Sequence, residues 1–304
     1  MAAALLLALA FVLWNTSRNL AAGNIASGFA FLWREAGFEI GETAFFAYSA
    51  ADNYLRSLAV GLANTFRVAA IGVVLTTLLG ALIGLARLSP NWLLAKLAAA
   101  YVETVRNVPL LVQLFFWYAL ISESLPAPAE ALNPLPGVFL SNRGIYFPLP
   151  GDWPALSGFN FTGGAALSPE FATLLTGLTT YTAGFIAEIV RAGILSVPRG
   201  QVEAARSLGL ERRDELRRVV LPQALRLMVP PLTSQYLNLT KNSSLAVAIG
   251  YPDLVSIANT TMNQTGQAIE GVAIIMAVFL TISLSISAFM NWYNRHVALR
   301  GLAG

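Results

Sequence analysis

The sequence has no cysteine and a single histidine, His296, in its basic C-terminal tail. Without cysteine there are no disulfides and no thiolate metal ligands. One solvated histidine leaves no ligand set for a catalytic zinc or a haem. Charge is scarce as well: 12% of the 304 residues are Asp, Glu, Lys or Arg, against 56% hydrophobic, and mean hydropathy is +0.62. Soluble domains carry about 25% charged residues, and half of that cannot cover a water-facing surface. The composition therefore indicates a membrane protein. The net charge of +3 needs no nucleic acid, because cytoplasmic loops of membrane proteins collect Arg and Lys.

A bilayer core of about 30 Å takes roughly 20 apolar residues as helix. Four stretches fit: Val68 to Ala86, Val108 to Ser122, Phe171 to Val190 and Gly271 to Trp292. The first contains Gly80 and Gly84 at a spacing that lets a second helix approach closely, or two glycines of no consequence. The second is led into by a helical approach from Trp92 to Val105 and is expected to bend at Pro109, which removes a backbone donor. A fifth stretch, Ala224 to Ile249, carries Pro230, Pro231, Gln235, Asn238, Lys241 and Asn242. Facing lipid, these groups are costly, so this helix must be buried in a bundle or line a watery path. The short apolar stretch Ala2 to Trp14 is taken as part of a sixth, N-terminal span.

The basic residues orient these spans. With residues 191–226, 87–106 and the tail on the cytoplasmic side, thirteen Arg or Lys lie inside, against Arg18, Arg34, Arg56 and Arg143 outside, with Lys241 near the outer half of its helix and Arg67 near the outer interface. That is the positive-inside distribution. Residues 123–169, with eight of the fifteen prolines, form a long outer insertion. Pro and Gly at this density resist regular structure, so an ordered but irregular cap is expected.

The most informative stretch runs Gly200-Gln-Val-Glu203-Ala204-Ala205-Arg-Ser-Leu-Gly209 and on to Val219-Val-Leu221-Pro222. It reads as a short helix, a break at Gly209, a charged second helix with Asp214 and Arg218 at i,i+4, and a new helix started by Pro222. Ala204 and Ala205 are small enough to let another surface approach. This pattern resembles the EAA loop of importer-type ABC permeases, with every motif position filled. Tyr101-Val-Glu-Thr-Val-Arg106-Asn-Val-Pro109-Leu-Leu-Val-Gln113 and Tyr181-Thr-Ala-Gly-Phe-Ile-Ala-Glu188-Ile-Val-Arg191 are similar to the polar amino-acid permeases within that group. The layout is closest to general L-amino-acid permeases.

The resemblance, covering about residues 58–292, implies an all-α integral membrane protein. It would be a multi-pass type I ABC permease bundle with a five-helix core plus an extra N-terminal helix. Residues 1–57 would be an N-terminal helix and outer segment, 58–292 the transmembrane domain with the insertion 123–169 and the coupling loop 193–222, and 293–304 a cytoplasmic tail. The implied function is import of L-amino acids across the bacterial inner membrane. The implied partners are ABC ATPase subunits, a second, non-identical permease, and a periplasmic amino-acid-binding protein. No cofactor is expected in this chain. ATP would bind the ATPase, in keeping with the lack of a GxxxxGKS or GxxxxGKT loop. The same machine could carry another small solute, an opine or an osmolyte. A membrane-embedded enzyme is the remote alternative, since no nucleophile–base pair or metal cluster is visible.

The coupling residues implied are Gly200, Glu203, Ala204, Ala205, Gly209, Leu221 and Pro222. Glu203 could equally be an exposed helix charge. Candidate pathway residues are Arg106, Gln113, Glu188, Asn238, Lys241, Asn242 and Ser243. Arg106 either meets substrate carboxylates, pairs with Glu188 or simply anchors the inner interface. Glu188 is expected to pair with Arg191 or Arg106. Lys241 either serves the pathway, pairs in the bundle or snorkels to the outer interface.

Overall fold

A computed structural model describes residues 27–43 and 45–297, with isolated positions before them; side chains are described up to Tyr293. The expected span at Ala2 to Trp14 and the tail lie largely outside the described residues. Helices dominate: α1 (Tyr54–Ala86), α2 (Trp92–Asn107), α3 (Leu110–Ser122), α4 (Pro169–Leu195), α5 (Arg199–Ser207), α6 (Leu221–Asn242), α7 (Leu254–Thr265) and α8 (Ala268–Val297). Three are long and apolar enough to cross a membrane: α1, α4 and α8 through Tyr293. The α2–α3 pair adds a fourth span if counted as one. Helix α6 has 22 residues, about 33 Å, long enough for a span although too polar to be recognised by hydropathy.

The chain forms two compact units. The first comprises residues 1–64 and 252–280. Here residues 27–53 run as an irregular strap with one 3-10 turn, Phe29–Trp33, before α1 begins. The strap is fastened by its backbone: Gly28 N–H donates to Glu270 Oε1 at 2.5 Å, and Gln267 Nε2 donates to the Gly28 carbonyl at 3.1 Å. Asn64 Nδ2 donates to the carbonyls of Glu42 (2.8 Å) and Pro252 (2.9 Å). Ile40, Leu58, Val60, Leu254, Ile257 and Ala258 form its core. Asp253 caps α7 by accepting from Ser256 N–H at 2.8 Å and is wholly buried. Its Oδ2 has no hydrogen-bond partner among the described residues. Burial pushes this carboxyl up to about 7, against the backbone donors that pull it down.

The second unit comprises residues 65–251 and 281–304, and α4 is its axis. Of the most apolar window in α4, 61% is buried within the chain, against 6% for α8, whose surface suits lipid. Close packing around α4 needs small residues. A Cβ on Gly80 of α1 would stand 2.7 Å from Ile186 Cβ, and one on Gly84 would stand 2.7 Å from the Ala187 carbonyl oxygen. On α4 itself, a Cβ on Gly177 or Gly193 would strike Leu114 or Met228. Phe171, Leu174 and Leu178 of α4 join Val68, Leu110, Leu114, Ala246, Ile249 and Tyr251 in the largest core cluster.

Between α2 and α3 the chain turns by 105°. Val108 is extended, as a residue before proline prefers, and Pro109 brings no N–H. Gln113 Nε2 donates to the carbonyls of Val105 (2.8 Å) and Val108 (2.9 Å), which the break leaves open.

The insertion is more regular than its composition led us to expect. Six short strands form a four-stranded antiparallel sheet, β1 (Leu132–Leu135), β2 (Val138–Ser141), β3 (Gly144–Phe147) and β6 (Ala165–Leu167), in that order, and a hairpin of β4 (Ala155–Ser157) with β5 (Asn160–Thr162). The prolines and glycines punctuate strands. Pro136-Gly137, with Gly137 at φ 77°, makes the two-residue turn between Leu135 and Val138. Pro134 sits in the edge strand, where its missing donor costs no ladder bond. Phe161 stacks on Phe139 at 4.5 Å between ring centroids and ties the hairpin to the sheet.

Gly84→Val is expected to force α1 off α4 and lower stability by about 1–3 kcal/mol. Thermal unfolding in detergent reads this directly, and an unchanged midpoint would contradict the packing described. Asp253→Asn keeps the cap and removes the buried charge. Because the folded carboxyl titrates high, the wild type loses stability as pH rises from 3.8 to about 7. The variant should be the more stable protein at pH 8, with the gap closing toward pH 4; a gap of constant size would show that Asp253 does not titrate there.

Candidate functional site

The stretch after α4 folds as a hairpin. Its first arm, α5, ends in a Schellman motif: Leu210 N–H bonds to the Ala205 carbonyl (3.2 Å) and Gly209 N–H to that of Arg206 (2.9 Å), with Gly209 at φ 78°. A side chain at that φ is strained, which is why glycine stands there. The second arm differs from the sequence reading. Arg212–Asp214 is α-helical, Glu215–Val220 is a π-helical segment, and Leu221 continues in the same right-handed conformation into α6. Pro222 therefore does not start a separate helix. Having no N–H to donate to the preceding turn, it sits where a π segment has already shifted the hydrogen-bond register.

The arms are locked by a forked ion pair: Arg206 Nε to Glu215 Oε2 at 2.7 Å and Nη2 to Oε1 at 3.2 Å. These hydrogen bonds hold the Glu215 carboxyl below the usual carboxylate range, against the desolvation that pushes it up. Sequence reasoning missed the pair, because residues nine apart meet only once Gly209 has reversed the chain. Asp214 and Arg218 form the expected i,i+4 pair at 3.2 Å. Val202 packs against the cluster of Val197, Val220, Ala224 and Met228, rooting the hairpin on α4 and α6.

This arrangement separates residues that the sequence grouped. Ala205 is 4% exposed and turned into the chain, so it is not available to another surface. Gly200, Glu203 and Ala204 are exposed, and the space above Gly200 is open. Leu221 is 42% exposed. Leu208, which the sequence reading passed over, is 83% exposed at the tip. A leucine directly before the glycine that ends the helix was the available signal.

A second feature lies on the same helix. Arg87, just past the end of α1, with Val102, Glu103, Arg106 and Asn107 of α2, and Phe185 and Glu188 of α4 line an open polar cavity of about 410 Å³. Glu188 is gripped by Arg87 and by Arg191 on the next turn. The expected pairing with Arg191 thus forms, whereas the one with Arg106 does not: Arg106 places its guanidinium 4.9 Å from the Phe185 ring centroid. Arg87 was missed because it lies 101 residues away in sequence. With two arginines on Glu188, the cavity keeps Arg106 and Glu103 as a cation and an anion clear of that cluster.

Other candidates fall elsewhere. Gln113 is committed to the α2–α3 bend, and it also lines a separate apolar cavity of about 440 Å³ with Tyr101, Val112 and Phe116. Ser243 is buried and donates to the Thr240 carbonyl at 2.8 Å, closing the end of α6. Asn238 and Lys241 are exposed on α6 together with Ser234, and Asn242 is half-buried; none of them lines the polar cavity.

Residues 72–299 match the family described as binding-protein-dependent transport system inner membrane component. The chain belongs to this family. The putative amino-acid ABC transporter permease YhdX of Escherichia coli (strain K12) is 47% identical over 94% of this chain and 89% of its own length. The general L-amino acid transport system permease AapQ of Rhizobium johnstonii is 43% identical over 95% of this chain and 89% of its own length. Among solved structures, a crystal structure of an amino acid ABC transporter with histidines superposes with a TM-score of 0.60 at 27% identity, covering 80% of this chain and 95% of that one. The family is a membrane-embedded transport component and not an enzyme, and its helical architecture is the one found here.

The Glu215 lock has a defined pH dependence. A carboxyl held low contributes its ordering fully above the ordinary value of 4.5 and loses it as pH falls below that. A spin label on Leu208→Cys, unique in this cysteine-free chain, should stay ordered from pH 7 to about 4.5 and loosen in stronger acid. With Glu215→Gln added it should be loose already at pH 7. Identical spectra at pH 7 would show that the ion pair does not hold the hairpin.

Proposed function

We propose that this chain is the membrane permease subunit of an ATP-driven importer for L-amino acids, with the hairpin and the C-terminus in the cytoplasm. The hairpin carries the reading: a short helix, rooted on α4 and α6 and braced by Arg206–Glu215, offers Gly200, Glu203, Ala204 and Leu208 on its open side. Such a projection suits the cleft of an ATPase subunit, which would bind the ATP. Because the arms are braced, motion of that ATPase would be delivered to α4 and α6 rather than absorbed in the loop. The excess of Arg and Lys at the hairpin end supports the orientation.

L-Amino acids are the favoured solutes on two grounds. The relatives named for amino-acid transport are 43–47% identical over nearly the whole chain. The cavity on α4 also offers Arg106 for an α-carboxylate and Glu103 for an α-ammonium. The partner within the bilayer would be a second, non-identical permease. The exposed polar stripe Ser234, Asn238 and Lys241 on α6 supports a protein neighbour there, since lipid would not cover it.

Gly209→Asp tests the coupling role. Placing a side chain at φ 78° should misdirect the second arm. In proteoliposomes holding the assembled transporter, ATP hydrolysis should persist while uptake of labelled L-amino acids falls about tenfold or more, a loss of roughly 1.4 kcal/mol of coupling. Uptake at the wild-type rate would overturn the assignment of the hairpin.

A further inference from the structure

Where α1 meets the start of α7, the contact is polar. Ser57, Gly61 and Asn64 fall on one face of α1, and Ser57 and Asn64 are wholly buried. Glycine at 61 brings the two backbones together: a Cβ there would stand 3.0 Å from the Asp253 carbonyl oxygen and 3.1 Å from Leu254 Cα. The Asn64 amide donates to the Glu42 carbonyl of the strap and to the Pro252 carbonyl, so both of its hydrogens are spent. That fixes the orientation of the amide and leaves Oδ1 as an acceptor. Asn64 Oδ1 has no hydrogen-bond partner among the described residues. Neither has Asp253 Oδ2, one residue past the carbonyl that Asn64 holds.

A buried acceptor needs a donor. An ionised Asp253 cannot be one, because a carboxylate only accepts; a protonated carboxyl can. Capping α7 does not account for the acid. The cap uses Oδ1, which accepts from Ser256 N–H at 2.8 Å. Serine or asparagine caps as well, without a group whose charge is costly to bury.

The surrounding elements supply no counter-charge among the described residues. Helix α7 carries no charged residue. On α1, Arg56 pairs with Asp52, and Arg67 stands over the Phe171 ring. On the strap, Arg34 and Glu35 are exposed, Glu39 accepts from Ala50 N–H, Tyr48 donates to the Phe38 carbonyl, and Glu42 meets Asn64 through its carbonyl. Tyr54 donates to Gln264, and Glu270 of α8 accepts from Gly28 N–H. Burial raises the Asp253 carboxyl, and only backbone donors lower it.

We propose that Asp253 is a proton-binding site: its Oδ2 carries a proton that it donates to Asn64 Oδ1, and this bond fastens the start of α7 to α1 and, through Glu42, to the strap. Ionisation gives the proton to water, leaves both oxygens without a donor and loosens the three segments together. The site does not depend on which solute is carried. It makes this seam firm in mild acid and open in mild base.

The experiment uses the full chain in its assembled transporter, in proteoliposomes. Infrared difference spectra between acid and base should show a carboxylic-acid carbonyl band that fades with a midpoint of about 7 and is missing from Asp253→Asn. A spin label on Phe45→Cys, an exposed strap position in a cysteine-free chain, should be ordered in mild acid and loosen with the same midpoint. Asp253→Asn, whose amide donates at every pH, should keep the label ordered throughout. Asp253→Ser still caps α7 but carries a shorter side chain, so the label should be loose throughout. Absence of the acid band overturns the inference. So does a label that loosens identically in Asp253→Asn, or one as ordered in Asp253→Ser as in Asp253→Asn, since the cap alone would then hold the seam.

Discussion

Helix α4 is held by close backbone approach at a few glycines, where a Cβ would meet or crowd its neighbours. It is surrounded by α1, α2, α3 and α6, and the surrounding helices reach it at Gly80 and Gly84 of α1 and at Gly177, Gly184 and Gly193 of α4 itself. In lipid there is little hydrophobic force to hold helices together, so contact must come from close backbone approach and packing. The rest of the second unit depends on that packing. The core at the N-terminal end of α4, the cavity at Glu188 and the root of the hairpin are successive stations along one tightly held rod.

Polar groups are then placed where this rod can hold them. Glu188 meets Arg87, just past the end of α1, and Arg191 on its own next turn, so one carboxylate ties α4 to the segment that follows α1. Arg106 is left to stack on Phe185 and face the cavity. Gln113, which a sequence reader takes for a pathway residue, instead supplies donors to the carbonyls opened by the 105° break at Pro109. The same economy appears at Ser243, which closes the end of α6. In a medium without water, a polar side chain serves the backbone first and a solute only if one is left over.

The two ends of α4 carry projections of different make. The one after its C-terminal end is helical, held by a Schellman turn and the Arg206–Glu215 fork. The one before its N-terminal end is a small β structure whose prolines and glycines make turns and edges. Both present an apolar residue at the tip, Leu208 at one end and Phe159 at the other, on a base braced by ion pairs or stacked rings. Rigid presentation lowers the entropy lost on contact.

The sequence by itself determined the membrane class, the apolar spans, the bend at Pro109, the break at Gly209 and the family, because each of these is written in local terms: hydropathy over about 20 residues, a missing N–H, a required positive φ, or a motif of fixed spacing. Tertiary structure alone decided which groups meet. It chose Arg87 over Arg106 for Glu188, matched Arg206 to Glu215, turned Ala205 inward while leaving Ala204 out, and made strands of a segment whose prolines and glycines looked only disruptive. Those outcomes follow from the order in which helices pack around α4, and from pairings between residues far apart along the chain. No local rule contains that information, because the same side chain can be a ligand, a cap or a strut according to what is brought beside it.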